Sequence, residues 1–377
     1  MRRLVLSLIL ILCCGAVAAE QVTPRKTVAT AVPPKPTAKP AAKKPAPKSP
    51  IAREMFGAAA APAPLAARAI GSYAKGCLAG GVSLPINGPD WQVMRLSRNR
   101  NWGTPQLLDF LEKLASDSRA LDGWPGLLIG DMSQPRGGPM LTGHTSHQVG
   151  LDADIWLTPM PDHILSPQER EDMTAASMLK DPFSVDPNVF TMQQVKLIRR
   201  AALSPQVARI FVHPAIKKAL CQQASQTGKD TSWLGKVRPW WNHHYHFHVR
   251  LYCPPGMDGC ENQKDVSGDN GCGQELTNWY AMLKKAAIEA AKPAVPGAKP
   301  WVGKPPLTMA QLPKECGTVL SAGRFTPEPP AESPAAIAAL ATKDAGPPIP
   351  RLTAAQLQTL IGADPNGMPL PDRNPMR

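Results

Sequence analysis

Trp240-Trp241-Asn242-His243-His244-Tyr245-His246-Phe247-His248-Val249-Arg250-Leu251 holds four of the chain's eight histidines. Read as a strand, its successive side chains point to opposite faces. His244, His246, His248 and Arg250 then share one face. Tyr245, Phe247, Val249 and Leu251 share the other, which is apolar enough to lie on a core. A solvated run of histidines would have no such back. His246 and His248 therefore project side by side into a polar site, where one ring can bind a metal and the other can reach the water beside it.

A second cluster lies upstream, in Gly143-His144-Thr145-Ser146-His147-Gln148-Val149-Gly150-Leu151-Asp152-Ala153-Asp154-Ile155-Trp156. It reads as a loop running into a strand. Gly150 permits a tight turn. Asp152 and Asp154 then fall on one strand face, with Leu151, Ala153 and Ile155 on the other. His147 on the loop and Asp154 on the strand can converge on one ion. Alone, that spacing means little; joined to His-x-His on another strand it makes a ligand set. Two imidazoles and a carboxylate suit zinc, and three protein ligands leave a fourth position open for water. Zinc brings the pKa of that water to about 7, which provides a nucleophile at neutral pH. His243, His244 and His246 are surplus to three ligands, which favours a catalytic site over a closed structural one.

Around these clusters the pattern is globular. Thr104 to Ala115 reads as a helix, with Thr104 as cap, Pro105 in the first turn, and Leu107, Leu108, Leu111 and Leu114 on one face. Leu127-Leu128-Ile129 reads as a short buried strand. Thr191 to Leu203 is a second helix, Arg209 to Val212 a strand, and Pro214 to Gln223 and Gly273 to Ala291 further helices. Helices mixed with short strands in no regular alternation indicate an α+β fold.

The ends differ in composition. The chain has 377 residues and 43 prolines, about twice the average usage. Arg2 and Arg3, the apolar run Leu4 to Leu12, and the small residues at Ala16-Val17-Ala18 or Val17-Ala18-Ala19 read as a signal peptide over residues 1–19. Residues 20–71 form a Pro/Ala/Lys-rich linker, expected to be disordered. A similar composition returns from about residue 293 to Arg377. Much of the formal charge of +13 lies in the first tail, at residues such as Lys35, Lys39, Lys43, Lys44 and Lys48. An exported basic tail is drawn to anionic surfaces rather than to nucleic acid. Cys13 and Cys14 leave with the signal. The remaining Cys77, Cys221, Cys253, Cys260, Cys272 and Cys316 suggest three disulfides, with Cys253 and Cys260 close enough for a local pair.

The two histidine segments resemble those of the penicillin-insensitive murein endopeptidases, within the metallopeptidase group that includes lysostaphin-type enzymes, D-Ala-D-Ala peptidases and hedgehog amino-terminal domains. That group's pattern is His-x6-Asp followed by His-x-His. The resemblance runs from about Ser72 to Cys316 and includes Arg209-Ile210-Phe211-Val212, Lys236-Val237-Arg238-Pro239-Trp240 and His248-Val249-Arg250-Leu251. It implies a small antiparallel sheet with flanking helices of the hedgehog/D-Ala-D-Ala-peptidase type, linked by disulfides. It implies zinc held by His147, Asp154 and His248, with His144 touching a metal or the substrate. His246 and His243 become the catalytic histidines, and Asp152 steers a ligand from behind. The implied disulfides are Cys77–Cys316, Cys221–Cys272 and Cys253–Cys260. A further metal-binding Asp-x-x-His seen in some members has no counterpart at Asp181-Pro182-Phe183-Ser184.

On this reading a zinc metallopeptidase domain spans 72–292. The extension 293–377 is anchored through Cys316 and otherwise largely disordered. The expected function is periplasmic, metal-dependent hydrolysis of the D-Ala–meso-diaminopimelate cross-links of peptidoglycan. A D,D-carboxypeptidase, an amidase or a non-catalytic wall-binding protein on the same scaffold are the alternatives. The Gly-x-Ser-x-Gly signature of serine hydrolases is absent, in keeping with a metal route that β-lactams do not block.

Overall fold

The computed structural model describes residues 49–228, 230–266, 268–293, 305–324 and 346–361. The expected signal peptide and the most basic part of the linker lie outside these residues. The first half contains α1 (Ala52–Gly57), β1 (Arg68–Ser72), β2 (Lys75–Ala79), β3 (Val82–Ser83), β4 (Trp91–Val93), β5 (Trp102–Gly103), α2 (Pro105–Asp122), β6 (Leu127–Ile129), β7 (Asp152–Trp156) and α3 (Pro167–Asp172). Then come β8 (Leu179–Asp181), β9 (Ser184–Val185), α4 (Met192–Leu203), β10 (Val207–Val212), α5 (Pro214–Thr227), β11 (Val237–Pro239), β12 (His246–Leu251), α6 (Gln274–Ala291), α7 (Glu315–Ser321) and α8 (Ala354–Ile361). No helix among the described residues is long and apolar enough to cross a membrane.

The centre is a six-stranded sheet in the order β11-β10-β12-β7-β6-β4. Its middle pairings, β10 with β12, β12 with β7, and β7 with β6, are antiparallel. The two outer pairings, β10 with β11 and β4 with β6, are parallel, so the sheet is mixed at its margins. The fold is α+β, as the irregular succession of elements predicts.

Pleating explains the two sides of this sheet. Phe247, Val249 and Leu251 of β12 and Ala153 and Ile155 of β7 are buried in one apolar cluster. They meet Leu107, Leu111 and Leu114 of α2, Leu197 and Ile198 of α4, and Ile216 and Leu220 of α5. Each fully buried side chain of this size contributes roughly 1.5–3 kcal/mol. The alternate residues, His246, His248 and Arg250 on β12 with Asp152 and Asp154 on β7, face the other way. Helix ends follow their sequence signals. The Thr104 hydroxyl accepts from Leu107 N with Pro105 just behind it, and Gly123 closes α2 at φ 74°.

The tails contribute more structure than composition suggests. Residues 49–71, assigned to the linker on composition, carry α1 and β1. Ala52 and Phe56 pack with Ile70, Cys77, Leu312, Cys316, Val319 and Leu320 in a second apolar cluster. Ala52 N donates to Leu307 O at 2.8 Å and Met309 N to Pro50 O at 2.9 Å, so the two ends of the domain are laced together. Buried Arg136 donates to Val319 O at 2.6 Å and to Leu320 O and Ala322 O at 3.0 Å, a cation on the last carbonyls of α7. The bridges are Cys77–Cys316, Cys221–Cys272 and Cys253–Cys260, the three pairs that the family resemblance implies.

Candidate metal centre

Strand pairing assembles the site. In the β7–β12 ladder His248 stands opposite Asp154 and Arg250 opposite Asp152. Directly opposed side chains on one face are near neighbours, so the four residues converge without help from a loop. His244 does not join them. Asn242 has φ 62° and turns the chain, and β12 begins only at His246. The strand alternation thus starts two residues later than the sequence suggests. His244 instead takes a hydrogen bond with Ser177 Oγ at 3.0 Å.

The remaining histidines arrive on the loop before β7. His147 has φ 64°, a left-handed conformation that costs a non-glycine residue roughly 1–2 kcal/mol. Its backbone is held from both sides. His147 N donates to Asp152 Oδ2 at 3.1 Å, and Ser133 Oγ donates to His147 O at 2.6 Å. Gly150 has φ 72°, and a Cβ there would lie 2.9 Å from the Leu78 methyls and 3.1 Å from Thr104 N.

Four imidazoles ring the buried Asp154 carboxylate. Oδ1 lies 3.3 Å from His248 Nδ1, 3.4 Å from His147 Nε2 and 3.6 Å from His246 Nε2. Oδ2 lies 3.5 Å from His144 Nε2. These separations are long for hydrogen bonds. They match the spacing of co-ligands: donors about 2.0–2.2 Å from a tetrahedral ion lie about 3.3–3.6 Å apart. His144, His147 and Asp154 offer ligand atoms that all fall within 4.8 Å of one another. Both ring nitrogens of His147, Nδ1 of His246 and Oδ1 of Asp154 are buried without a hydrogen-bond partner. Buried polar atoms in folded proteins are nearly always satisfied, so this donor set fits a cation.

Charge balance agrees. Burial raises the Asp154 pKa, but His246, His147 and His144 outweigh it and hold the carboxyl well below the usual range. Burial lowers the His147 pKa and takes His246 to about 4, so both rings are neutral lone-pair donors near pH 7. His248 is oriented from behind. Its Nε2 sits 3.0 Å from Asp152 Oδ1, which leaves Nδ1 toward Asp154. Burial opposes charge on that ring, yet Asp152 raises its pKa. Asp152 also accepts from Arg250 Nε at 2.7 Å, and its own pKa is lowered because Arg250 and His248 overcome its burial. His243 packs beside His246 with ring centroids 4.9 Å apart. Its Nδ1 donates to Trp241 O at 2.5 Å, which fixes the tautomer and leaves Nε2 as an acceptor.

Sequence reasoning missed Asp131, two residues beyond the end of β6. Its Oδ2 meets Arg100 at 2.8 Å, Arg98 at 3.0 Å and His144 Nε2 at 3.0 Å. Burial works against ionisation, but the two guanidiniums keep its carboxyl well below the usual range. A lone acid right after a buried strand is the signal that could have marked it. Asp181 closes its own turn, accepting from Phe183 N at 2.8 Å and from Ser184 Oγ at 2.5 Å. Arg95, Arg98, Asp131, His144, Asp154, Trp156, Tyr245 and His246 line a pocket of about 180 Å3 above the carboxylate.

A buried carboxylate ringed by four histidines at the floor of a pocket, on a mixed sheet backed by helices, defines the site of a metallopeptidase. Residues 69–321 match the family described as penicillin-insensitive murein endopeptidase. A protein of that name from Haemophilus influenzae is 43% identical over 235 residues, covering 62% of this chain and 80% of that one. Those of Pectobacterium atrosepticum and Escherichia coli are 41% and 40% identical, covering 81% and 86% of their own lengths and 62% and 63% of this chain. The chain belongs to the penicillin-insensitive murein endopeptidase family.

Proposed function

We propose that the chain is a zinc-dependent endopeptidase of the periplasm that hydrolyses the D-Ala–meso-diaminopimelate cross-links of peptidoglycan. The observation that carries this is the Asp154 carboxylate with its four surrounding imidazoles, in which Asp154 Oδ1 and the facing His147 Nε2 are both buried without a hydrogen-bond partner. Murein as substrate follows from the family and from the names of the relatives. His147 Nε2, Asp154 and His248 Nδ1 would hold the ion, with His144 at its margin. Bound zinc would act as a Lewis acid on the scissile carbonyl and make water acidic enough to attack near pH 7.

The protein's own groups supply the remainder. Asp152 orients His248 through Nε2 and fixes the loop through His147 N. His246, neutral and facing the pocket, accepts a proton from the attacking water and returns it to the leaving amine. His243 presents Nε2 beside it and stabilises charge that develops on His246. Exclusion of bulk water from this buried floor strengthens each of these interactions.

The test is digestion of purified peptidoglycan, with and without a chelator, followed by mass spectrometry of the products and of the bound metal. The expected result is chelator-sensitive loss of cross-linked dimers with release of monomers. Release of terminal D-Ala alone would indicate a carboxypeptidase, and persistence of dimers with metal-loaded protein would sink the proposal.

A further inference from the structure

Residues 346–361 lie beyond the region shared with the family, and they return to the metal-centre pocket. Gly346 and Pro347 form part of its wall, together with Asp154, His144, Tyr245 and His246. The approach is close. Gly346 has φ 68°, and a Cβ on it would lie 2.1 Å from the Tyr245 ring. His244 donates a hydrogen bond to the backbone carbonyl of Pro347. Pro347 is buried, and Ile349 packs against the main apolar cluster. Ile349, Pro350, Leu352 and Leu357 then line one side of an adjoining cavity of about 620 Å3, with Trp241, His213 and the α6 alanines on the other side. Helix α8 packs on α6. It is started by a reciprocal cap in which Thr353 N donates to Gln356 Oε1 at 2.8 Å and Gln356 N to Thr353 Oγ1 at 3.3 Å.

Two physical points give this placement meaning. First, the open pocket is small. Ligand sites for molecules of ordinary size occupy about 300–1,000 Å3, and a cross-linked stem peptide is larger than most. With Gly346 and Pro347 in place, such a substrate cannot lie across Asp154 and His246. Second, the segment is built to dock. Three prolines within residues 347–350 fix φ before docking and so lower its entropic cost. Its Pro347 carbonyl takes a hydrogen bond from His244. Because residues 325–345 join it covalently to α7, it competes at a high effective concentration that dilution does not change.

We propose that residues 346–361 are a tethered occupant of the substrate groove, which must leave before a murein stem peptide reaches the metal centre. This rests on the murein-endopeptidase reading above. A docked fraction of about nine in ten weakens apparent substrate affinity about tenfold without altering the chemical step.

The experiment uses the full chain and two substitutions outside the catalytic machinery. Gly346→Val drives a branched side chain into Tyr245, and Ile349→Asp places a charge against the apolar cluster. Each is assayed on soluble disaccharide-tetrapeptide dimers. The expected result is a fall in KM of about tenfold with kcat unchanged, reversed by adding a synthetic peptide of residues 346–361. An unchanged KM, or a fall in kcat that marks the segment as a wall of the site, would overturn the proposal. Should neither parent nor variants cut dimers, the murein reading falls, and the strap is judged separately. In that case the rate at which diethyl pyrocarbonate modifies His246, read by fragment-ion mass spectrometry, is compared between parent and variants. Labelling at least threefold faster in the variants supports the strap, and equal rates overturn it.

Discussion

The metal centre is made of two unlike halves. One is β12, where His246 and His248 project from a ladder whose other face is core. The other is the loop over residues 143–150, where His147 holds a left-handed backbone between hydrogen bonds from Ser133 and to Asp152. In the strand half, periodicity alone aims the side chains, and apolar burial maintains the aim. In the loop half nothing periodic exists, and single polar contacts hold each atom. The strand half should therefore tolerate repacking, while the loop half should be sensitive to the loss of one hydrogen bond.

The largest effect should come from removing the point where the halves meet. Asp154→Ala is expected to abolish stoichiometric metal binding, measured by elemental mass spectrometry, and to lower hydrolysis by roughly a thousandfold or more. Metal retained at full stoichiometry would break the picture of a shared ligand. Next is Asp152→Asn, which keeps the shape but weakens the hold on His248 and on the loop. Metal affinity should fall about 10–100-fold, as for other residues that orient a ligand from behind. A competition titration with a chromogenic chelator reads this directly.

A smaller pair of effects tests the contrast itself. Ser133→Ala removes one buried hydrogen bond of about 1 kcal/mol and should weaken metal binding several-fold. Phe247→Leu should cost a similar amount of stability, about 1 kcal/mol or more, with metal affinity unchanged. Equal metal affinities in the two variants would erase the distinction.

The smallest effect on activity is expected at His213, behind the site. Its Nδ1 accepts from Ala215 N and its backbone N donates to His243 O. Burial, with a lesser push from His244, takes its pKa down to about 3, against roughly 6.5 in an unfolded chain. The unfolded state then binds more protons between about pH 6.5 and 3. Stability should be flat above that window and fall as pH drops through it. His213→Asn, which can still cap α5, should make the acid limb of a denaturation profile shallower.

The same contrast explains what could be read from the amino acids. Helix α2 was legible because Thr104, Pro105 and four spaced leucines all argue for it. The β12 alternation was legible because Phe247, Val249 and Leu251 obey a period of two. His244 was misplaced because Asn242 adopts a positive φ that no pattern of hydrophobicity encodes. The His147 turn was equally opaque, since its conformation depends on Asp152 and Ser133, partners distant from one another in the chain. Asp131 escaped notice because its role is defined by Arg98, Arg100 and His144 rather than by any local motif. Residues 49–71 and 346–361 look like spacer by composition, yet Phe56 and Ile349 each find an apolar surface that only the folded chain provides.

The Cys77–Cys316 bridge spans 239 residues and has a consequence in time. A chain made from its amino terminus forward exposes Cys77 early and Cys316 only after α6 is complete. The clasp between the ends of the domain therefore cannot close until residue 316 has been made, whatever the state of the rest of the domain. A product cut short before residue 316 keeps Cys77 as a free thiol beside an incomplete apolar cluster. Such fragments carry a chemical label that sets them apart from the mature enzyme, readable by thiol alkylation during synthesis.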